Sequence, residues 1–326
     1  MPKLQVLSEI MSANTNWAVA IIAARESLDT LTSTIEAAAA ATAGREAVID
    51  VLVNGNPGLA KAAADWAGNW RGTCGLRVWS IAQGDKAHAW NEYVHRIWPA
   101  GSTAFFLDGY ARAHSDGLAQ LAASLAQAPD AFGATGVPTS GRSATALREA
   151  MLRGGGFHGN MNAIPAHAMT GLRASGFRLP LGLYRTDSLI GSVLMFALDP
   201  TAYQWQPGRV IVNGDATWDV PGQSDLTIKN IVAQFKRRQR QAQGDLENRA
   251  ARDHLAVRCL PLNQFPKTIR ELVLGWIDAH PDEARRLYIK NPLRLRAARR
   301  MRAPQDWSAA ERAPELLFGA REARVA

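Results

Sequence analysis

The chain has 326 residues, 47% hydrophobic and 20% charged, which suits one or two packed domains and excludes a disordered polymer. Its longest apolar stretches, such as Leu189 to Leu198, fall well short of the roughly 20 residues that span a bilayer. The formal net charge of +8 does not describe a basic domain, because eight Lys and Arg with no acid lie between Arg285 and Arg302, leaving residues 1–284 at about +1.

Only two cysteines, Cys74 and Cys259, are present and far apart, so neither a disulfide framework nor a zinc site is expected and a reducing cytoplasm suits the chain. Met1 to Asn16 has one Lys and no hydrophobic block with a cleavage site, so no signal peptide is expected.

Trp17 to Ala24 is an apolar run that breaks at Arg25-Glu26-Ser27 and predicts a buried strand. Ser27 caps a helix carrying Leu28, Leu31 and Ile35, with Ala37 to Ala41 as strong helix formers. Val48 to Val53 predicts a second strand with the polar tip Asn54-Gly55-Asn56, and Pro57 opens a helix reaching about Gly68. A third strand, Leu76 to Ile81, leads through Gly84-Asp85-Lys86 into a helix with Trp90, Val94 and Ile97 on one face. The fourth, Phe105-Phe106-Leu107-Asp108, ends abruptly on a carboxylate, and a helix from Asp116 to Ala126 follows. Strand and helix alternating at roughly 25- to 30-residue spacing predict an α/β fold with a parallel sheet and right-handed crossovers.

Beyond Phe132 the rhythm loosens. Ala131 to Thr135 reads as a short strand, Gly141-Arg142-Ser143 opens a helix through Leu152, and Gly154 to Asn160 is a glycine-rich loop. Leu179-Pro180-Leu181-Gly182 is a turn, Asp187 is placed to cap an apolar helix over Ser188 to Leu198, and Val210-Ile211-Val212 reads as a strand. A long polar helix is expected over Gln223 to Gln243, with Leu226, Ile231, Val232 and Phe235 as its apolar positions. The remainder reads as helical, broken at Pro266, Pro281, Pro292, Pro304 and Pro314, and no internal repeat is visible.

In open α/β sheets ligands bind beyond the carboxyl ends of the parallel strands. The tips at Glu26, Asn54 to Asn56 and Asp108 therefore mark a candidate site along one sheet edge. Lys86 opens its helix against the macrodipole, a position that suits a side chain facing an anion. Asn91 on the same helix is placed to support the adjacent loop. His158, flanked by glycines, is an accessible group of the kind that titrates near neutrality.

Four segments in this order resemble family 2 glycosyltransferases. Trp17 to Glu26 resembles their first strand and donor-binding turn, and Val51-Leu52-Val53-Asn54-Gly55-Asn56 their second strand. Gly84-Asp85-Lys86-Ala87-His88-Ala89-Trp90-Asn91 is similar to their Gly-Lys-x-x-Ala-x-Asn helix start, and Phe106-Leu107-Asp108-Gly109-Tyr110 to their Asp-x-Asp strand end. The likeness runs from about residue 17 to about 240. It implies a GT-A fold over residues 1–245, a mostly parallel Rossmann-like sheet flanked by helices. Within it about 17–110 would bind the nucleotide-sugar and about 111–245 the acceptor, with 246–326 as a helical, basic extension. The implied activity is that of an inverting hexosyltransferase. It would move one sugar from a UDP- or GDP-sugar to a hydroxyl acceptor, glycan or lipid-linked, in exopolysaccharide or cell-envelope glycan biosynthesis.

By the same resemblance Ala24, Glu26, Asn54 or Asn56, and Lys86 would meet the donor, and Asp108 would hold a divalent metal, Mg²⁺ or Mn²⁺. The family's second Asp is Tyr110 here, so an ion would have fewer protein ligands. Asp187 would be the base that takes the acceptor proton, with His158 as its rival. Gln234-Phe235-Lys236-Arg237-Arg238 resembles the Gln-x-x-Arg-Trp motif, which would set Gln234 and Arg237 by the acceptor or diphosphate. Arg238 replaces the aromatic platform there, which argues against processive polymerisation. Leu287, Tyr288, Leu293, Leu295 and Met301 interleave with the cations of 285–302, a pattern suited to an anionic cytoplasmic membrane surface. Nucleic acid is not expected, since no base-reading motif accompanies the charge. Two other classes stay open: a nucleotidyltransferase that forms nucleotide sugars, although Ala23-Ala24-Arg25-Glu26 lacks the usual glycine-rich basic signature, and a non-catalytic nucleotide-sugar-binding scaffold.

Overall fold

A computed structural model of the chain describes residues 16–141, 143–221 and 228–319, the side chains of 228–237 excepted. Strands β1 (Trp17–Ala23), β2 (Ala47–Asn54), β3 (Gly75–Ile81) and β4 (Thr103–Asp108) run parallel. They are joined by α1 (Leu28–Ala41), α2 (Pro57–Ala67) and α3 (Lys86–Glu92), the last continuing as a π-helical turn over Tyr93–Ile97. Every residue of β1 is buried, and its side chains alternate between two cores. Ala18, Ala20 and Ile22 pack on one face, Trp17, Val19 and Ile21 on the other. Cover on both faces is why the run is apolar throughout instead of alternating.

The second half holds β5 (Arg112–Ala113), α4 (Gly117–Gln127), β6 (Gly133–Pro138), α5 (Ala144–Gly154), β7 (Met161–Ile164), α6 (Ala166–Ala174), α7 (Thr186–Met195) and β8 (Val210–Asp219). Then follow α8 (Ile228–Arg252), α9 (Ile269–Ala279), α10 (Pro281–Lys290), α11 (Pro292–Met301) and β9 (Glu315–Phe318). The nine described strands make one sheet in the order β5-β8-β6-β7-β4-β1-β2-β3-β9. β1 to β4, β6 and β8 share a direction, while β5, β7 and β9 run against their neighbours.

The α/β architecture is as expected, with local corrections. The strand read at Ala131 to Thr135 is β6, displaced to Gly133–Pro138, and Val210 to Val212 is only the start of β8. β7 pairs antiparallel with β4 directly after the glycine-rich loop, and β9 sits in a tail expected to be helical. Helix α7 begins at Thr186, one residue before Asp187, and stops at Met195 because Ala197 and Leu198 turn left-handed, with φ of 50° and 65°. Leu226 lies outside the described residues, as do the side chains of Ile231, Val232 and Phe235.

Chain order reverses between β1 and β4: α1 carries the chain from β1 to β2 on one side, and β4 lies on the other. A crevice opens beyond the carboxyl ends of strands at such a switch. The C-terminal helices close one face. α11 packs on α8, where Arg294 meets Asp245 at 2.8 Å, and Thr268 starts α9 in a capping box with Glu271. Among the described residues no helix is long and apolar enough to cross a membrane.

Candidate active site

The strand tips are fastened to one another. The Glu26 carboxylate turns back to accept the amides of Ala24 and Arg25 at 2.7 and 2.9 Å. The Asn54 amide donates to the Ala23 carbonyl at 2.8 Å, and that of Asn56 to the Ala24 carbonyl at 2.9 Å. Asn56 also caps α2 by accepting from Leu59 N–H. These groups therefore shape the turn after β1 through Glu26 Oε2 and the amide nitrogens of Asn54 and Asn56. Gly55, at φ 65°, lies directly against the backbone of Gly84, bringing the β2 tip to the start of α3.

From that start Lys86 reaches Asp108 and forms an ion pair with its Oδ1. Asp108 Oδ2 accepts a hydrogen bond from the Tyr110 hydroxyl at 3.1 Å, and that hydroxyl also lies 3.3 Å from Asn160 Oδ1. Burial, followed by Asp108, Glu26 and Asp187, raises the Tyr110 pKa, so the phenol keeps its proton and serves as a donor. The turn after Asp108 is fixed from below. Gly109 N–H donates to the Ile22 carbonyl at 2.9 Å, and Thr34 Oγ1 donates to the Gly109 carbonyl at 3.1 Å.

Asp187 forms the opposite wall. It stands in the first turn of α7, with Arg185 at the cap position, and its Oδ2 accepts Gly159 N–H at 3.3 Å. The expected capping role is thus corrected: Asp187 bonds across the cleft to the glycine loop, not to its own helix. Gly159 is the spacer. A Cβ there would stand 3.2 Å from Lys86 Nζ and 3.7 Å from Asp187 Cγ. Lys86, Asp108, Asn162 and Asp187, with Trp90 and Phe157, line a narrow cleft open to solvent. Burial alone would lower the Lys86 pKa, but Asp108, Asp187 and Glu26 outweigh it and leave it raised. Three carboxylates thus act on one ammonium.

His158 stands at the rim, its ring 5.2 Å from that of Trp218. Its Nδ1 accepts Asn160 N–H at 3.1 Å, and burial lowers its pKa despite Asp187 and Asp108. A neutral ring already bonded to the adjacent backbone shapes the loop. Asn91 does what its position suggested: its amide exchanges hydrogen bonds with Leu179, at 2.9 and 2.8 Å. The side chains of Gln234 and Arg237 lie outside the described residues.

Other contributors were not legible. Glu247 on α8, 1% exposed, accepts the amides of Tyr184 and Arg185 and so pins the start of α7. Burial raises its pKa despite those bonds. Asn160 closes the glycine loop and Asn162 follows it on β7, donating to the His158 carbonyl at 2.9 Å. The only sequence signal for these residues was an acid or an amide beside an expected turn or on a polar helix.

No family model matches the sequence, and no curated protein shows significant similarity to it. Solved structures do. A mannosyltransferase from Pyrobaculum calidifontis, in complex with GDP-mannose and Mn²⁺, superposes with a TM-score of 0.50 at 15% identity, over 90% of this chain and 85% of that one. Glucosyl-3-phosphoglycerate synthase from Mycobacterium tuberculosis, in complex with Mn²⁺, UDP-glucose and phosphoglyceric acid, gives 0.50 at 15% identity over 78% and 83%. The chain has the fold of the GT-A glycosyltransferases.

Proposed function

We propose that the protein is an inverting glycosyltransferase that moves one hexosyl unit from a nucleotide diphosphate sugar to a hydroxyl acceptor. The observation that carries this reading is the cleft itself, with the Lys86–Asp108 pair on one wall and Asp187 on the other, in a fold shared with enzymes crystallised with GDP-mannose or UDP-glucose. Residues 17–110 would bind the donor and 111–245 the acceptor, while α9 to α11 form a helical extension whose chain returns to the sheet edge as β9. Ala24, Glu26, Asn54 and Asn56 frame the nucleoside end.

The acceptor hydroxyl enters between Asp187 and the anomeric carbon. As its oxygen bonds to that carbon, Asp187 takes its proton, the bond to the diphosphate oxygen breaks, and the nucleoside diphosphate leaves with the electron pair. Lys86 meets the phosphate charge.

A divalent cation fits the charge of this cleft. Glu26, Asp108 and Asp187 surround a single ammonium, so an anionic diphosphate needs further positive charge to enter. No group of three or more His, Cys, Asp or Glu side chains is gathered to cage an ion among the described residues. Asp108 would therefore hold Mg²⁺ or Mn²⁺ together with donor oxygens, and the bound ion would supply neutralisation of the leaving diphosphate.

The acceptor we assign is a glycan or lipid-linked precursor of an exopolysaccharide or cell-envelope glycan. It would be met at the cytoplasmic membrane surface, with residues 285–302 against the anionic leaflet. Incubation with UDP-, GDP- and TDP-sugars and Mn²⁺ tests the reading through nucleoside diphosphate release, and NMR of the product anomer tests inversion. Binding and turnover of none of these donors overturns it. Pyrophosphate release from a nucleoside triphosphate would instead make the protein a nucleotidyltransferase, and donor binding without turnover a scaffold.

A further inference from the structure

Both carboxylate oxygens of Asp108 are already engaged, Oδ1 by the Lys86 ammonium and Oδ2 by the Tyr110 hydroxyl. Tyr110 lies two residues beyond Asp108, and its neutral hydroxyl, spent as a donor to Asp108, brings no negative charge to share the load. Lys86 is thus the resident counter-ion of this wall. It is half-buried and sits on the first residue of α3 with an open approach: Gly159 leaves Nζ clear where any larger residue would crowd it.

Resting on the function proposed above, we infer that Lys86 is an exchangeable counter-ion: it holds Asp108 in the empty cleft, competes with a divalent cation for Oδ1, and on displacement turns to the donor diphosphate. The competition follows from charge and space. Ammonium and metal ion want the same oxygen, and two cations within a few ångströms repel. The release has a destination, because an incoming diphosphate brings fresh anionic oxygens within reach of the same flexible stem. The device loads cation and donor together, and disfavours an ion bound alone.

The test is titration of Mn²⁺ alone, without nucleotide, followed by the electron paramagnetic resonance of free Mn²⁺. Lys86→Met, which keeps the apolar stem, and Lys86→Gln should each bind Mn²⁺ about tenfold more tightly than wild type. Lys86→Arg, which keeps the charge, should stay near wild type. In saturating Mn²⁺ the first two variants should bind UDP or GDP about tenfold more weakly, because no ammonium meets the diphosphate. Unchanged or weaker Mn²⁺ binding in Lys86→Met and Lys86→Gln overturns the inference, as does Lys86→Arg behaving like them, or no Mn²⁺ binding by any form. Donor turnover with no change in Mn²⁺ affinity sinks the exchange and leaves the transferase reading standing. The Mn²⁺ pattern without nucleotide-sugar binding does the reverse.

Discussion

Asp187 can be changed without disturbing the wall it belongs to. It accepts Gly159 N–H at 3.3 Å, a bond that an asparagine oxygen can also accept, without the help of charge. Asparagine cannot take a proton from an attacking hydroxyl. Asp187→Asn should therefore lose roughly 10²- to 10⁴-fold in turnover with donor binding no weaker than wild type, since one negative charge leaves the cleft, as read from kcat and from equilibrium binding of the donor. A loss confined to donor binding would remove Asp187 from the base role. The residues legible in the sequence were those placed where an element begins or ends, with Asp108 closing a strand, Lys86 opening a helix and Asp187 preceding an apolar one. Tyr110 read only as a missing carboxylate, although its hydroxyl fixes the one that remains. Glu247 was hidden because its partners, Tyr184 and Arg185, lie 63 and 62 residues away in sequence, and it falls beyond Gln243, where the expected polar helix ended.

At the scale of elements, the site depends on how closely the ends of β1 and β4 approach. Gly109 sits at that contact, where an added Cβ would stand 2.7 Å from Ala23 Cβ and 3.0 Å from its Cα. The obstacle includes backbone, so the strand ends must separate. Gly109→Ala should cost about 1–3 kcal/mol of stability and weaken donor binding, measured by denaturant unfolding and nucleotide titration. Full donor affinity in this variant would show that the spacing is not needed. Helix α3, which positions Lys86, carries a second tension. His88 is 4% exposed, its Nε2 has no partner among the described residues, and burial, Arg178 and Arg96 all lower its pKa. The unfolded chain binds a proton near pH 6.5 and the folded one resists it, so stability falls as pH drops below that value. His88→Met removes this penalty. Its melting temperature relative to wild type should rise between pH 7.5 and 5.5, and an unchanged difference would exclude His88 as the source. Neither α3 nor β1 to β4 was hard to read, because strands buried on both faces and capped helices carry local signals. β7 and β9 were hard, since four-residue strands are defined by their neighbours, β4 and β6 for one and β3 for the other.

For the whole molecule, the asymmetry of charge becomes an asymmetry of surface. Pro292 does not merely interrupt the basic segment: it starts α11 after α10 has ended, so the cations lie on two successive helices. Arg294 is taken inward by Asp245, whereas Arg285, Arg286 and Lys290 are exposed on α10 and Arg299 and Arg300 on α11. Ile289 lies among the α10 cations at 73% exposure, the largest value of any bulky apolar side chain described. An anionic bilayer would accommodate both: each cation would contribute about 1 kcal/mol near the leaflet, and the apolar side chain would enter the headgroup boundary. Wild-type protein should therefore co-sediment with vesicles containing phosphatidylglycerol and not with pure phosphatidylcholine, and added salt should release it. Combining Arg285→Gln, Arg286→Gln, Ile289→Ser and Lys290→Gln should weaken that binding by at least about hundredfold, the product of three lost charges with the loss of the apolar anchor in addition, while nucleotide affinity stays as it was. Equal binding to neutral vesicles, or vesicle binding that survives the fourfold change, would detach the basic helices from any membrane and leave the acceptor to be sought in solution.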